Sequence, residues 1–337
     1  MARIQAIVGA LLRILRRDGK SFGSFATNNF FLMSVLLLRQ AGAFIYLLVG
    51  LVMLFPLSTD PLRKIPPSRL GLWPLSTREH WLLRIVSPWL NPLTWILAAL
   101  AIWGAWGKVT TGLWAALAAV FAVGFVAPSL LPSPRKGAWR RIPNLPGPLN
   151  QLVRKNVREI LSTLDFYCAL LLSLSVLAYR LARPGFATEA LLPMTVLVVL
   201  ALSSYAQCLF GLDGDQALTR YRLLPVRGWQ VLAAKDSAFL MAALVLTLPL
   251  APLPGIAAAL AALGVGHASS VNDRREQVRW RFSSGASFGS AIVQVVLLAG
   301  AAGIVETHPI IFAPIVCLYM ASTWWYGRAL ERGLVES

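Results

Sequence analysis

Three stretches of this chain, 88–107, 109–133 and 191–212, contain no charged residue. Each is close to the roughly 20 apolar residues that a helix needs to cross the hydrocarbon core of a bilayer. In lipid a backbone must satisfy its own hydrogen bonds, so only helices and closed barrels span it, and these runs are too long for barrel strands. The expected fold class is therefore all-α, a polytopic transmembrane helix bundle. Composition agrees: 57% of residues are hydrophobic and 13% charged, against about 25% charged in a soluble domain.

The formal net charge is +17, from 31 Lys and Arg against 14 Asp and Glu. Of the 31 basic residues, 27 fall in six segments: 1–25, 59–86, 134–158, 213–236, 272–281 and the tail from Arg328. Basic clusters alternating with apolar blocks are the positive-inside pattern of membrane proteins. They mark the cytoplasmic face and argue against nucleic acid as the partner. High Arg, Ala and Leu usage points to a bacterial source, so the expected location is the bacterial inner membrane, multi-pass, with both termini cytoplasmic.

Each apolar block between basic segments must then leave and return as a hairpin. Block 88–133 turns near Lys108, 160–212 around Arg180 to Gly185, and 283–327 around Glu306 to Pro309. Block 238–271 turns at Pro249, Pro252 and Pro254, which leaves short arms. Block 26–57 is too short for two full spans and carries Arg39 near its middle, a charge that is costly in lipid unless paired or hydrated. Arg39 is either a contact for an anionic substrate or lipid, or the loop of that hairpin.

Two segments read as basic amphipathic helices. In the first, Ile4, Ile7, Val8, Leu11, Leu12 and Leu15 share a face, with Arg3, Arg13, Arg16 and Arg17 off it. Such a helix lies in the membrane interface or packs on a protein. In the second, Leu149, Leu152, Val153, Val157, Ile160, Leu161 and Leu164 form the stripe, beside Arg154, Lys155 and Arg158. Each helix precedes a hairpin, a basic loop and another hairpin, and the two basic loops align without gaps. Segment 69–84 lies over 220–235, matching Arg69 with Arg220, Leu72 with Leu223, Pro74 with Pro225 and Arg84 with Lys235. An internal duplication is expected, as in many transporters, with 1–148 the first membrane repeat, 149–271 the second, and 272–337 a basic loop and C-terminal hairpin.

No catalytic, metal or cofactor constellation emerges. Gly19-Lys20-Ser21 lacks the first glycine of a phosphate loop, because Ile14 stands there. Gly285-Ala-Ser287-Phe-Gly289 opens an apolar helix rather than a nucleophile elbow, so its small residues read as helix-packing positions. His80, His267 and His308 have no second metal ligand at suitable spacing. His267, near a helix end, is read as a hydrogen-bonded side chain, with proton relay as the alternative. Cys168, Cys208 and Cys317 lie scattered in apolar stretches as small hydrophobes. The N-terminus has no uninterrupted apolar core before a small-residue cleavage site, so no cleaved signal peptide is expected.

The basic loops are the most informative feature. Pro is tolerated at a helix start and disfavours helix before it, so Pro225 should open a helix through Gln230 to Lys235. Tyr221, Leu223, Leu224 and Trp229 are costly to leave in a bare loop, and aromatic residues with arginine are what binding surfaces concentrate. The run Phe210-Gly211-Leu212-Asp213-Gly214, then Arg222-Leu223-Leu224-Pro225-Val226, then Val231 to Asp236 resembles the cytoplasmic loop of type-2 ABC exporter permeases. The resemblance covers about 30 residues closely and the remainder as topology. Where family members carry Ser-Arg after Pro-Val, this chain has Arg227-Gly228. The first loop, Pro74-Leu75-Ser76-Thr77-Arg78, keeps that pattern better but lacks Phe-Gly-x-Asp.

The resemblance implies a coupling helix that docks on a cytoplasmic ABC ATPase through Arg220, Arg222, Leu224, Pro225, Arg227, Trp229 and Lys235, and through Trp73, Pro74 and Arg78 in the first loop. ATP would then be bound by the partner subunit, with no cofactor, metal or catalysis in this chain. The expected partners are that ATPase, membrane lipids and a second copy or another subunit in a homodimer or hetero-oligomer. A membrane enzyme acting on lipid-linked substrates and a non-transporting scaffold remain as alternatives, and the substrate is not readable.

Overall fold

The computed structural model describes residues 7–13, 62, 65, 72–73, 75–90, 95, 99, 149–182, 191–213, 221, 223, 226–272 and 288–336. Arg39, Pro74, Arg220, Arg222, Leu224 and Pro225 lie outside the described residues, as do the 26–57 block and the 274–281 basic cluster. Every regular element among the described residues is helical. The chain forms two compact units, 1–130 and 131–337. The 272–337 segment thus shares a unit with 149–271.

In the first unit, α1 spans Thr77–Val86 and runs into a 3-10 turn, Ser87–Leu90. Leu11, Leu62 and Leu83 form its buried cluster, with Ile7, Ile65, Trp73, Leu75 and Leu90 packed around them. Ile7 and Leu11 of the first amphipathic segment are thus covered from within the chain, whereas Leu12 and Arg13 are exposed.

In the second unit, α2 (Asn150–Ile160), α3 (Leu164–Ala182), α4 (Leu191–Ala206), α5 (Gly228–Thr247), α6 (Pro252–Asn272), α7 (Phe288–Thr307) and α8 (Phe312–Glu336) follow in order. A 74° break separates α2 from α3. Helix α4 has the lowest exposure because nearly every residue from Met194 to Ala206 is apolar and buried, and α3, α5, α6 and α7 all pack on it. Helix α6 packs on α5, α7 and α8. Its small residues permit close approach: a Cβ on Gly266 would strike the Ala206 carbonyl, and one on Gly255 would meet the Thr247 side chain at 2.6 Å. Across the bundle, Ser173 Oγ donates to Leu246 O at 2.6 Å and Ser270 Oγ to Ala206 O at 2.8 Å.

Three helical segments among the described residues, Gly228–Thr247, Pro252–Asn272 and Pro309–Arg332, are long and apolar enough to cross a membrane. The protein is a membrane helix bundle. Two expected turns fall where the charge pattern put them: α3 ends at Ala182, and α7 gives way to α8 through His308 and a 3-10 turn at Pro309–Ile311. Arg180 Nη1 donates to Pro249 O at 3.0 Å, joining two turns that were both assigned to the external side.

The expected short arms of the 238–271 hairpin are corrected. Helices α5 and α6 have 20 and 21 residues. No Gly or Pro interrupts 229–247, so the helix that opens the basic loop continues without a break into the membrane segment. Lys235 and Asp236 lie inside that helix, and both are fully buried.

Candidate functional site

The helix of each basic loop starts in the same register. α1 begins at Thr77, three residues after Pro74, and α5 begins at Gly228, three residues after Pro225. At Ser76 the cap is reciprocal: Glu79 N–H donates to Ser76 Oγ at 3.3 Å, and Ser76 N–H donates to Glu79 Oε2 at 2.8 Å. At the aligned position, Arg227 N–H donates to Gln230 Oε1, also at 2.8 Å. Arginine has no acceptor to complete the box. Glu331 of α8 instead caps another N–H of this turn, accepting from Gly228 at 2.9 Å at the positive end of the helix dipole.

That bond exists because the two helices nearly touch. A Cβ on Gly228 would lie 2.5 Å from Gly327 O, and one on Gly327 would lie 2.5 Å from Trp229 Cα. The glycine at position 228 thus has a local cause: the position faces backbone. Around this crossing Trp229, Trp324 and Trp325 are exposed, and Arg328 stacks over Trp324 at 4.1 Å. Tryptophan with arginine at a helix end is the composition of a membrane–water interface.

Seven residues further along α5, Lys235 turns inward. Its Nζ lies 2.7 Å from Asp213 Oδ2, with both side chains wholly buried. Lys155 of α2 donates to Asp213 Oδ1 at 2.5 Å, and Tyr221 O–H donates to Oδ2 at 3.0 Å. The rings of Phe210 and Tyr221 sit 5.0 Å and 5.4 Å from the Lys235 and Lys155 ammonium groups. Glu159 completes the group, 3.6 Å from Lys155. Burial by itself pushes the Asp213 carboxyl up. Lys235 and Lys155 more than offset it, so Asp213 is held below the ordinary carboxylate range. Phe210, Asp213 and Lys235, the outer residues of the sequence pattern, therefore meet at one point. Leu223 (81% exposed), Arg227 and Trp229 (39% exposed) stand outside it.

Asp236, the next residue, enters a different node. His267 Nε2 lies 3.2 Å from both of its oxygens. Tyr319 O–H donates to Oδ2 at 3.0 Å, and Thr323 Oγ1 is 3.3 Å away. On the other side of the ring, His267 Nδ1 is 2.9 Å from Ser322 Oγ, and Ser322 O–H donates to Gly264 O at 3.0 Å. The node joins α5, α6 and α8. Asp236 sits about 12 Å along α5 from its first residue, at 1.5 Å per residue.

Of the residues assigned to docking, Arg227 and Trp229 face outward at the start of α5, whereas Lys235 is enclosed and holds the loop through Asp213. In the first unit, Arg78 is exposed and Trp73 half-buried against the leucine cluster. An open cleft of about 400 Å³ there is lined by Leu75, Thr77, His80 and Trp81. Sequence reasoning placed Asp213 within the motif without its partners, and assigned Asp236, Lys155, Tyr319 and Ser322 no role. The one available signal was Lys235-Asp236 itself, an opposite-charge pair directly before an apolar run. Among the described residues no group of His, Cys, Asp and Glu has the makings of a metal site. Comparison with known proteins returned no match: no family model, curated protein or solved structure is similar to this chain.

Proposed function

We propose that this chain is the membrane-spanning permease subunit of an ATP-driven exporter of the type-2 ABC kind, in the bacterial inner membrane. It docks cytoplasmic ATPase subunits through the loops near 69–84 and 213–236. The observation that carries the reading is the anchored loop: the buried Lys235–Asp213 pair, with the half-exposed Lys155 on the same carboxylate, holds the base while Leu223, Arg227 and Trp229 remain available to a partner. A coupling element needs both properties, since a push at the exposed tip moves the bundle only if the loop base cannot yield. The matching helix starts at Thr77 and Gly228 support two such elements in one chain. Nucleotide would be hydrolysed on the partner, and closure of two ATPase subunits would drive α5 and the helices packed on it.

One observation favours a second reading, an enzyme acting on lipid-linked substrates: Ser322, His267 and Asp236 lie in hydrogen-bonded succession. Against it, Ser322 sits inside α8, where the helix's own bonding occupies the backbone N–H groups that would stabilise an oxyanion. Purification of the tagged chain from its host in mild detergent separates the readings. The exporter reading expects a nucleotide-binding ATPase to co-purify and to be lost when Leu223→Ala, Arg227→Glu and Trp229→Ala are combined. Intact insertion with no ATPase on the native chain overturns it.

A further inference from the structure

The Asp236 node can hold its hydrogens in two arrangements that differ by one proton. A hydroxyl carries one proton and a carbonyl only accepts. In the structure Ser322 O–H donates to Gly264 O at 3.0 Å. Ser322 Oγ therefore faces His267 Nδ1 as an acceptor, and Nδ1 carries a hydrogen. On the opposite side, Nε2 faces the Asp236 carboxylate at 3.2 Å, which requires a second hydrogen between them. In this arrangement the His267–Asp236 pair would hold two protons, as imidazolium and carboxylate or with one proton moved to the carboxyl.

Removing one proton leaves a neutral ring with Nε2–H on Asp236 and a bare Nδ1. The Ser322 hydroxyl then satisfies Nδ1 by turning away from Gly264 O. The two-proton form has two hydrogen bonds joining α8 to α6 through Ser322, and the one-proton form has one. No atom is stranded in either form, which is what a site needs if it is to bind and release a proton while buried.

The surroundings leave the proton to this pair. From α8 the node is faced by Tyr319 and Tyr326, whose ring centres lie 6.0 Å and 6.3 Å from that of His267, and by Thr323. From α5, Lys235 is committed to Asp213. Among the described residues no Lys or Arg forms an ion pair with Asp236, so the one basic group on its carboxylate is a histidine, the side-chain type whose charge changes nearest neutral pH.

We propose that Asp236, His267 and Ser322 form a proton-binding site whose occupancy sets how α8 is joined to α6. The site is independent of whether an ATPase docks on the chain.

The test is ¹⁵N NMR of the histidine side chains in the full-length protein in detergent micelles, between about pH 5 and pH 9. The chain has three histidines, and His267→Gln assigns the third. The expected result is a His267 ring with both nitrogens protonated at the acid end and only Nε2 protonated at the alkaline end. Amide exchange along α8 should speed up over the same transition. Asp236→Asn, which removes the counter-charge, should move the transition at least about one unit toward acid. Should that variant fail to fold, Tyr319→Phe moves it toward alkali, because the carboxylate loses a donor that competes for its negative charge. A His267 ring that keeps one protonation state over the whole range overturns the site. A transition with unchanged α8 exchange overturns its link to helix packing.

Discussion

Lys235 and Asp236 are neighbours on one helix and are equally buried, yet they belong to opposite kinds of polar node. Asp213 is held by two lysines and a tyrosine, while Asp236 is held by a histidine and hydroxyls. In the first node two amines and a phenol from separate segments converge on one carboxylate, so it is a fixed fastening. The second has no lysine or arginine on its carboxylate among the described residues, and its one basic group is the His267 ring. Burial alone therefore does not tell whether an ionic cluster is structural or responsive. The identity of the cation does.

The largest test of this contrast is Asp213→Ala. It leaves Lys235 charged and enclosed, and removing one partner of a buried pair costs about 3–5 kcal/mol. Thermal unfolding in detergent should show the loss, and adding Lys235→Met should recover most of it. Asp236→Asn should cost less, about 1–3 kcal/mol, because its partner can become neutral. A cost equal to that of Asp213→Ala would erase the distinction between the nodes.

The pH dependence sharpens it further. Asp213 has its folded-state pKa lowered, so its contribution is complete above the unfolded carboxyl value of about 3.9. That contribution fades only as pH falls through the lower folded value. The stability gap between the native chain and Asp213→Asn should therefore stay constant through neutral pH and shrink below about pH 4. A gap that changes around neutrality would mean that the fastening itself titrates. The smallest expected effect is at the exposed tip. Leu223→Ala should shift stability by less than about 0.5 kcal/mol, which separates a docking contact from a structural one.

The membrane architecture was legible because lipid imposes a coarse rule on sequence. The uncharged run 191–212 became α4, the bundle's lowest-exposure helix, and the turns near 180–185 and 306–309 followed from the placement of charge and proline. The gapless alignment of the two loops was legible, and the caps at Ser76 and Arg227 fall in its register. The same coarse rule hid the site. Charge was read as loop, so Lys235 and Asp236 were assigned to the cytoplasmic segment and the 238–271 arms came out short. What permits two charges inside α5 is neutralisation by Asp213 and His267, which arrive from 22 residues before and 31 residues after them. His267 was recognisable as a buried polar group. Its partners on α5 and α8 were not, since hydrophobic periodicity says which face of a helix is buried but not which helix covers it.

The adjacency of positions 235 and 236 also has a mechanical consequence. Consecutive residues project about 100° apart around a helix axis. Helix α5 is therefore secured in two directions at one height, toward Asp213 and toward His267, and cannot spin about its axis without breaking both. Any torque on the start of α5 must pass to α2, α6 and α8 together. One degree of freedom that a lone membrane helix would possess is absent here, and the assembly turns as a single rotor.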